Sequence, residues 1–457
     1  MRNKHMKKII LVILVPIVML AGCDKRTSRL DLLVGDDSLN GFFSIEAHSV
    51  TTYSSPADKE AGRIECRIYE DEYDAFVKLF RVLDDRAIRE AYRLKAAAHF
   101  NDDFLKKIKE MDEKKFHPGM EPERPLAGLR IAIDPGHSAA TMKEAKRERK
   151  YISLFTTDGR KLAFYESKLN LATAMILKDL LEKDGATVML TRNSNRQVYP
   201  VPFDRWMKQG FHRGVHEKLR DKSITGEEAN RLLYGAGDRE RLKFFNSHYD
   251  MPYRARLIHD FHPHVTVLAH LDANEGPSAY QSKYLRIKEI AGKPGPCGKQ
   301  MDDIREIVDA IEETEMDYCS VFVPGCFLRG ELNTMESRIE FLRLIISPDL
   351  DNCIRFSRHV IENFHRYLEV PVSRESFPAS VPVGFRRNGV YARNFRMTRL
   401  VRGTLCLGEP LQQNNMKEAL KLHGITGGKV PDRIKKVARA YREAILAYIK
   451  EQMDNGR

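Results

Sequence analysis

Apolar positions along this chain follow three different patterns. Residues 9–20 form one unbroken apolar run behind the basic stretch Met1–Lys8. Between Glu70 and Lys115 the apolar residues return every three or four positions (Phe76, Val77, Phe80, Leu83, Ile88, Tyr92, Phe104, Leu105, Ile108), which predicts helix. H-P-G-M-E-P-E-R-P, residues 117–125, then marks a linker. Beyond it, short apolar runs of the buried-strand type alternate with amphipathic stretches. Leu129–Ile133 reads as a strand. Ser167–Glu182 reads as a helix with Leu169, Ala172, Ile176 and Leu180 on one face, stopped by Gly185, and Ala186–Leu190 reads as the next strand. Strand, helix and strand in one unit point to parallel pairing through a crossover. Val265–Ala269 and Thr404–Leu407 are further strands, and Pro431–Met453 a terminal helix.

The expected fold is therefore α/β. A mostly parallel central sheet carries helices on both faces and is preceded by a small helical N-terminal region. In boundaries, residues 1–22 read as a signal peptide, 23–64 as a tether with at most one or two short strands, and 65–116 as the helical region. The linker 117–125 follows, then a catalytic domain over 126–430 with polar insertions at 193–250 and 275–335. Residues 431–457 form a final helix of the same domain.

The ends and the charge place this chain in a compartment. Twelve apolar residues after a basic start suit a secretory signal better than a bilayer anchor. Leu20-Ala21-Gly22-Cys23 resembles a bacterial lipobox, in which Cys23 is lipidated. The expected location is the bacterial cell envelope, membrane-anchored through lipid on Cys23 and facing the periplasm or cell wall. Removing Arg2, Lys4, Lys7 and Lys8 takes the formal charge from +12 to +8, still basic. In that compartment an anionic wall polymer or lipid headgroups are the fitting partners, and nucleic acid is not expected. The remaining cysteines, Cys66, Cys297, Cys319, Cys326, Cys353 and Cys406, match no metal or disulfide framework and read as buried thiols.

Sites in open α/β sheets form beyond the carboxyl ends of strands. The first strand runs into Asp134-Pro135-Gly136-His137. Glu166 opens the next helix, V-T-V-L-A ends on His270, and T-L-C-L-G ends on Glu409. Two histidines and a glutamate form a common catalytic zinc set with one position left for water. A further carboxylate is what a hydrolase needs to take that water's proton. Each residue alone has an ordinary reading as a turn, a helix-dipole acid or a hydrogen-bonded histidine; their convergence on one sheet edge favours a site. His259, His262 and His264 in H-D-F-H-P-H look like a rival cluster, but they precede their strand and belong at its amino end.

I-A-I-D-P-G-H, E-S-K-L-N-L-A-T-A, G-A-T-V-M-L-T-R, R-L-I-H-D-F-H-P-H-V-T-V-L-A-H-L-D-A-N and L-C-L-G-E-P-L-Q-Q-N-N occur in this order. In these elements the chain resembles the zinc-dependent N-acetylmuramoyl-L-alanine amidases, which trim bacterial peptidoglycan. The resemblance implies one zinc ion per chain on His137, Glu166 and His270, with Glu409 as the catalytic acid–base. It implies cleavage of the amide between the lactyl group of N-acetylmuramic acid and L-alanine of the stem peptide. Arg256 matches a family arginine with an expected structural role, an ion pair under the site. Arg393, Arg399 and Asn274 are candidate substrate-binding residues. The chain departs from the family pattern after His137, where Ser138-Ala139-Ala140 and a basic stretch, K-E-A-K-R-E-R-K (143–150), separate the histidine from Glu166. A zinc peptidase acting on peptidoglycan peptides, and a non-catalytic wall-binding lipoprotein of the same fold, are the alternatives. A regulatory protein partner is compatible with the insertions.

Overall fold

The computed structural model describes residues 29–82, 85–95, 123–384, 388–425 and 429–455. The signal peptide, Cys23, residues 96–116 of the helical region and most of the proline-rich linker fall outside them. Twelve strands occur among the described residues: β1 (Phe43–Glu46), β2 (Ser49–Thr52), β3 (Cys66–Tyr69), β4 (Arg130–Pro135), β5 (Tyr151–Phe155), β6 (Lys161–Tyr165), β7 (Thr187–Leu190), β8 (Val265–Ala269), β9 (Ser320–Val323), β10 (Ser380–Pro382), β11 (Val390–Arg393) and β12 (Leu405–Glu409). Seven of them make one central sheet in the order β10-β11-β9-β12-β8-β4-β7.

The sheet is mixed. β7, β4, β8 and β12 run parallel, β9 is antiparallel to β12, β11 is parallel to β9, and β10 closes the edge antiparallel. The parallel half carries the near-continuous apolar sequences that two covered faces require. Ile131, Ala132 and Ile133 of β4 and all five residues of β8 are buried. Helices Glu166–Lys183, Asp349–Leu368 and Asp432–Asn455 pack on one another and on the sheet, and helices Met251–Phe261 and Arg396–Leu400 contact β4 and β12 respectively. Each leucine or isoleucine buried in this way contributes about 1.5–3 kcal/mol.

Two expectations need correction. Residues 29–64 are not a tether. Leu33, Leu39, Phe42, Phe43 and Val50 are core residues, β1–β3 form an antiparallel sheet, and the Phe43 ring lies 5.0 Å from that of Phe341 in a tilted contact. Backbone N–H groups of Cys326 and Phe327 donate to Leu32 and Leu33, which ties this segment to the main domain. The alternation of polar and apolar residues here is spread over four-residue strands, too short to stand out. Nor is 275–335 simply an insertion, because it contains β9, a strand in the middle of the central sheet. Its four residues, S-V-F-V, are wholly buried, but they are separated from β12 by more than eighty residues of sequence and pair with it non-locally. Residues 193–250 fold into short helices around a second hydrophobic cluster that includes Phe203, Trp206, Phe211, Val215, Leu242 and Phe245.

Candidate metal centre

Register explains why distant residues meet. Pro135 of β4 lies beside Ala269 of β8, and Ala269 lies beside Gly408 of β12. His137, His270 and Glu409 therefore leave the sheet at one edge, and the backbone N–H of His270 donates to the carbonyl of Gly408 (3.1 Å). Gly136 permits the approach, since a Cβ there would collide with the His270 ring. His137 then takes φ 58°, a left-handed conformation uncommon outside glycine. The turn is held from below. Arg192 donates to the carbonyls of Pro135 (3.0 Å), Gly136 (3.0 Å) and Ser167 (2.8 Å), and Arg254 donates to Pro135 (3.1 Å) and His137 (3.3 Å).

Glu166, the first residue of its helix, is fully buried. Its Oε1 lies 3.2 Å from Nε2 of His137 and 3.2 Å from Nδ1 of His270, and accepts from the N–H of Leu271 (3.2 Å) and Nδ2 of Asn170 (3.3 Å). One ligand atom from each of His137, Glu166 and His270 falls within a 4.8 Å group. Nε2 of His137 is buried and has no well-directed hydrogen-bond partner among the described residues, which suits a lone pair reserved for a metal. Burial lowers the pKa of His137 to about 4, so its imidazole is neutral, the ligating form, near pH 7. For Glu166 burial works the other way, but His137 and Lys150 outweigh it and hold the carboxyl well below its ordinary range.

Burial, with Asp272 and Glu166 nearby, raises the pKa of Glu409 well above that of an ordinary carboxylate. Its Oε2 is buried and also finds no hydrogen-bond partner among the described residues. That setting suits a group that takes and returns a proton. Asp272 is raised too, chiefly by burial.

Two residues of the centre were not anticipated. The stretch 143–150 is a short helix, Met142–Glu148, leading into the β5–β6 hairpin, and it forms a wall of the site. Glu148 is 6 % exposed at its side chain and sets Oε2 3.6 Å from Nδ1 of His137; burial raises its pKa to about 7. Lys150 places Nζ 3.3 Å from Oε2 of Glu166. Burial opposes its charge, but Glu166, Glu409 and Asp272 outweigh that and raise its pKa. The alternation in Y-I-S-L-F and K-L-A-F-Y around the turn T-T-D-G-R was the available signal for the hairpin. With Tyr151 opposite Tyr165, the next pair outward is Lys150 and Glu166.

Other candidates divide. Arg256 does not lie under the site: it is exposed and stacks on Tyr253 at 4.6 Å. The buried ion pair expected of it belongs to Arg254, two residues earlier on the same helix, which meets Asp134 (3.2 Å) and Asp250 (2.7 Å). A helical turn inverts which residue faces the core every two positions, and sequence matching alone chose the wrong one. Arg399 is likewise displaced, paired with Glu340 (2.7 Å) in a cavity of about 880 Å³ that also contains His259 and Arg256. Arg393 is near enough to the site for Asp272 and Glu409 to act on its charge, and it stacks on Phe395 at 4.4 Å. Asn274 is held in a polar network: its Nδ2 donates to Asp272 (2.5 Å) and Tyr318 (2.9 Å), and its N–H to Gln412 (3.0 Å). Gln413 donates to the carbonyl of Leu271 (3.0 Å) beside Glu166.

No family model and no curated protein matches the sequence. Among solved structures the chain is similar to N-acetylmuramoyl-L-alanine amidases, of which three follow. One is the CwlD amidase of Clostridioides difficile in complex with the GerS lipoprotein, with 15 % identity, 71 % of this chain and 99 % of that chain covered, and a TM-score of 0.35. The apo form of Ami1 from Mycobacterium abscessus gives 12 % identity, 71 % and 100 % coverage, and a TM-score of 0.36. The catalytic domain of CwlV from Bacillus (Paenibacillus) polymyxa var. colistinus gives 13 %, 70 % and 98 %, and 0.34. Likeness at this level assigns no activity.

Proposed function

We propose that this protein is a zinc-dependent peptidoglycan hydrolase that cleaves the amide between N-acetylmuramic acid and L-alanine of the stem peptide. The observation that carries the proposal is the convergence of His137, Glu166 and His270 within 4.8 Å at the sheet edge where Glu409 also ends its strand. Charge supports a divalent ion there. Glu148, Glu166, Asp272 and Glu409 gather four carboxylates where Lys150 and Arg393 are the nearby cations, a surplus of negative charge when all are ionised.

His137, Glu166 and His270 would hold the zinc, with Glu148 beside the distal nitrogen of His137 as an orienting group. A bound zinc supplies a Lewis acid that acidifies water and polarises an amide carbonyl. Glu409 accepts the proton of the attacking water at its carboxylate and delivers it to the departing amine of L-alanine. The substrate class comes from the sequence resemblance, and the basic charge of the chain fits an anionic polymer. Lipidation at Cys23, placing the enzyme on a membrane outside the cytoplasm, completes the proposal.

Purified full chain incubated with peptidoglycan, followed by mass spectrometry of the soluble products, tests this. Stem peptides beginning with free L-alanine, lost with a chelator and restored by zinc, are expected. Cuts inside the peptide would transfer the assignment to a peptidase, and binding without any product would leave a wall-binding protein.

A further inference from the structure

We infer that Lys150 is a built-in cationic partner of the metal centre, which pins the second oxygen of Glu166 and thereby limits the glutamate to one-oxygen coordination. The inference rests on the reading of this site as a zinc hydrolase. It concerns a residue that neither the metal set nor the proton-transfer role requires.

The two oxygens of Glu166 have different surroundings. Oε1 faces both histidines and accepts from Leu271 and Asn170. Oε2 faces away from them, with Nζ of Lys150 at 3.3 Å and Nε2 of Gln413 at 3.5 Å. A carboxylate whose second oxygen is occupied by an ammonium offers a metal one atom instead of two, which leaves a coordination position for water and substrate. Lys150 keeps 37 % of its side chain exposed, but its backbone is fixed in the hairpin. Its backbone carbonyl accepts from the N–H of Glu166 (3.1 Å), continuing the β5–β6 register to this very pair. The preceding Arg149, at φ 56°, ends the short helix so that Glu148 and Lys150 both reach the site. Arg149 in turn donates to the carbonyls of Val308 (2.6 Å) and Asp309 (3.3 Å), fixing the segment against the end of the helix Cys297–Asp309. Thr141 caps that helix, Ser167 Oγ donates to Ala139 (2.6 Å), and Tyr165 OH donates to Ala140 (2.8 Å). Ser138-Ala139-Ala140 and the basic stretch are thus one device that delivers a carboxylate to His137 and a cation to Glu166.

A positive charge this close also repels a divalent ion. The arrangement therefore trades metal affinity for an open coordination position and for a cation facing Glu409 and Asp272.

The test compares full chain with Lys150→Met and Lys150→Arg by zinc competition against a coloured chelator, by the visible spectrum of the cobalt-substituted protein, and by turnover on peptidoglycan. Lys150→Met is expected to bind zinc about tenfold or more tightly, the scale set by one like charge a few ångströms away at the effective dielectric of such sites. Its cobalt spectrum is expected to weaken as Glu166 adds its second oxygen, and turnover to fall. Lys150→Arg keeps the charge and is expected to stay close to wild type in all three. A structural role alone would lower affinity and turnover together and leave the spectrum of the remaining bound cobalt as it was; that result overturns the inference. Wild-type affinity and spectrum in Lys150→Met would overturn it as well, while leaving the hydrolase reading intact. A wild-type chain that binds no metal sinks both.

Discussion

Strand β8 has histidines at both ends, and among the described residues only one end gathers a candidate metal site. At its amino end His259, His262 and His264 crowd six residues of sequence; at its carboxyl end His270 meets His137, which is more than a hundred residues away. Two of the three rings are consumed by backbone, and His262 is exposed. Nδ1 of His264 accepts from the N–H of Arg130 (2.9 Å), His262 ends a helix at φ 51°, and Nε2 of His259 accepts from the N–H of Arg402 (3.3 Å). Burial and the neighbouring Arg402 and Arg343 push the pKa of His259 far down, in a cavity rich in arginine. At the other end a buried glutamate stands between two imidazoles. Proximity in sequence therefore says little; a centre needs a carboxylate and convergent lone pairs.

Substitutions can break this contrast. His137→Ala or His270→Ala is expected to abolish zinc binding and activity together, read by metal analysis and peptidoglycan turnover. Glu409→Ala is expected to keep zinc and lose about 10²–10⁴-fold in turnover, the usual contribution of a positioned acid–base. An alanine at 409 with undiminished turnover removes its assigned role. Gly136→Ala should push the His270 ring aside and weaken zinc by roughly 10–100-fold, comparable to losing an orienting partner, measured by chelator competition. His264→Ala sharpens the contrast from the other side: about 1 kcal/mol of stability lost with its hydrogen bond, seen by thermal unfolding, and zinc stoichiometry unchanged.

Much of the scaffold was legible because its strands are unbroken apolar runs. I-A-I, V-T-V-L-A and L-C-L are central strands, and the helix read over Ser167–Glu182 spans Glu166–Lys183. The site residues could be read because strand ends announce themselves with D-P-G-H, A-H and G-E. What could not be read depends on pairing over distance. β9 is a four-residue strand interrupted by Pro324-Gly325 within Y-C-S-V-F-V-P-G-C-F-L, recognisable as central only once β12 and β11 flank it. Arg192 and Arg254 became visible as supports only when the Pro135–His137 carbonyls they bind were located. Lys150 was hidden by composition: a lysine ending K-E-A-K-R-E-R-K reads as solvated, and only the hairpin register sets its ammonium beside Glu166.

The most direct test of the central claim is zinc content by plasma mass spectrometry after equilibration and desalting, for wild type, His137→Ala and His262→Ala. One zinc per chain in wild type and His262→Ala, with none in His137→Ala, is the predicted result. A wild type without zinc, or zinc that survives His137→Ala and leaves with His262→Ala, would contradict it.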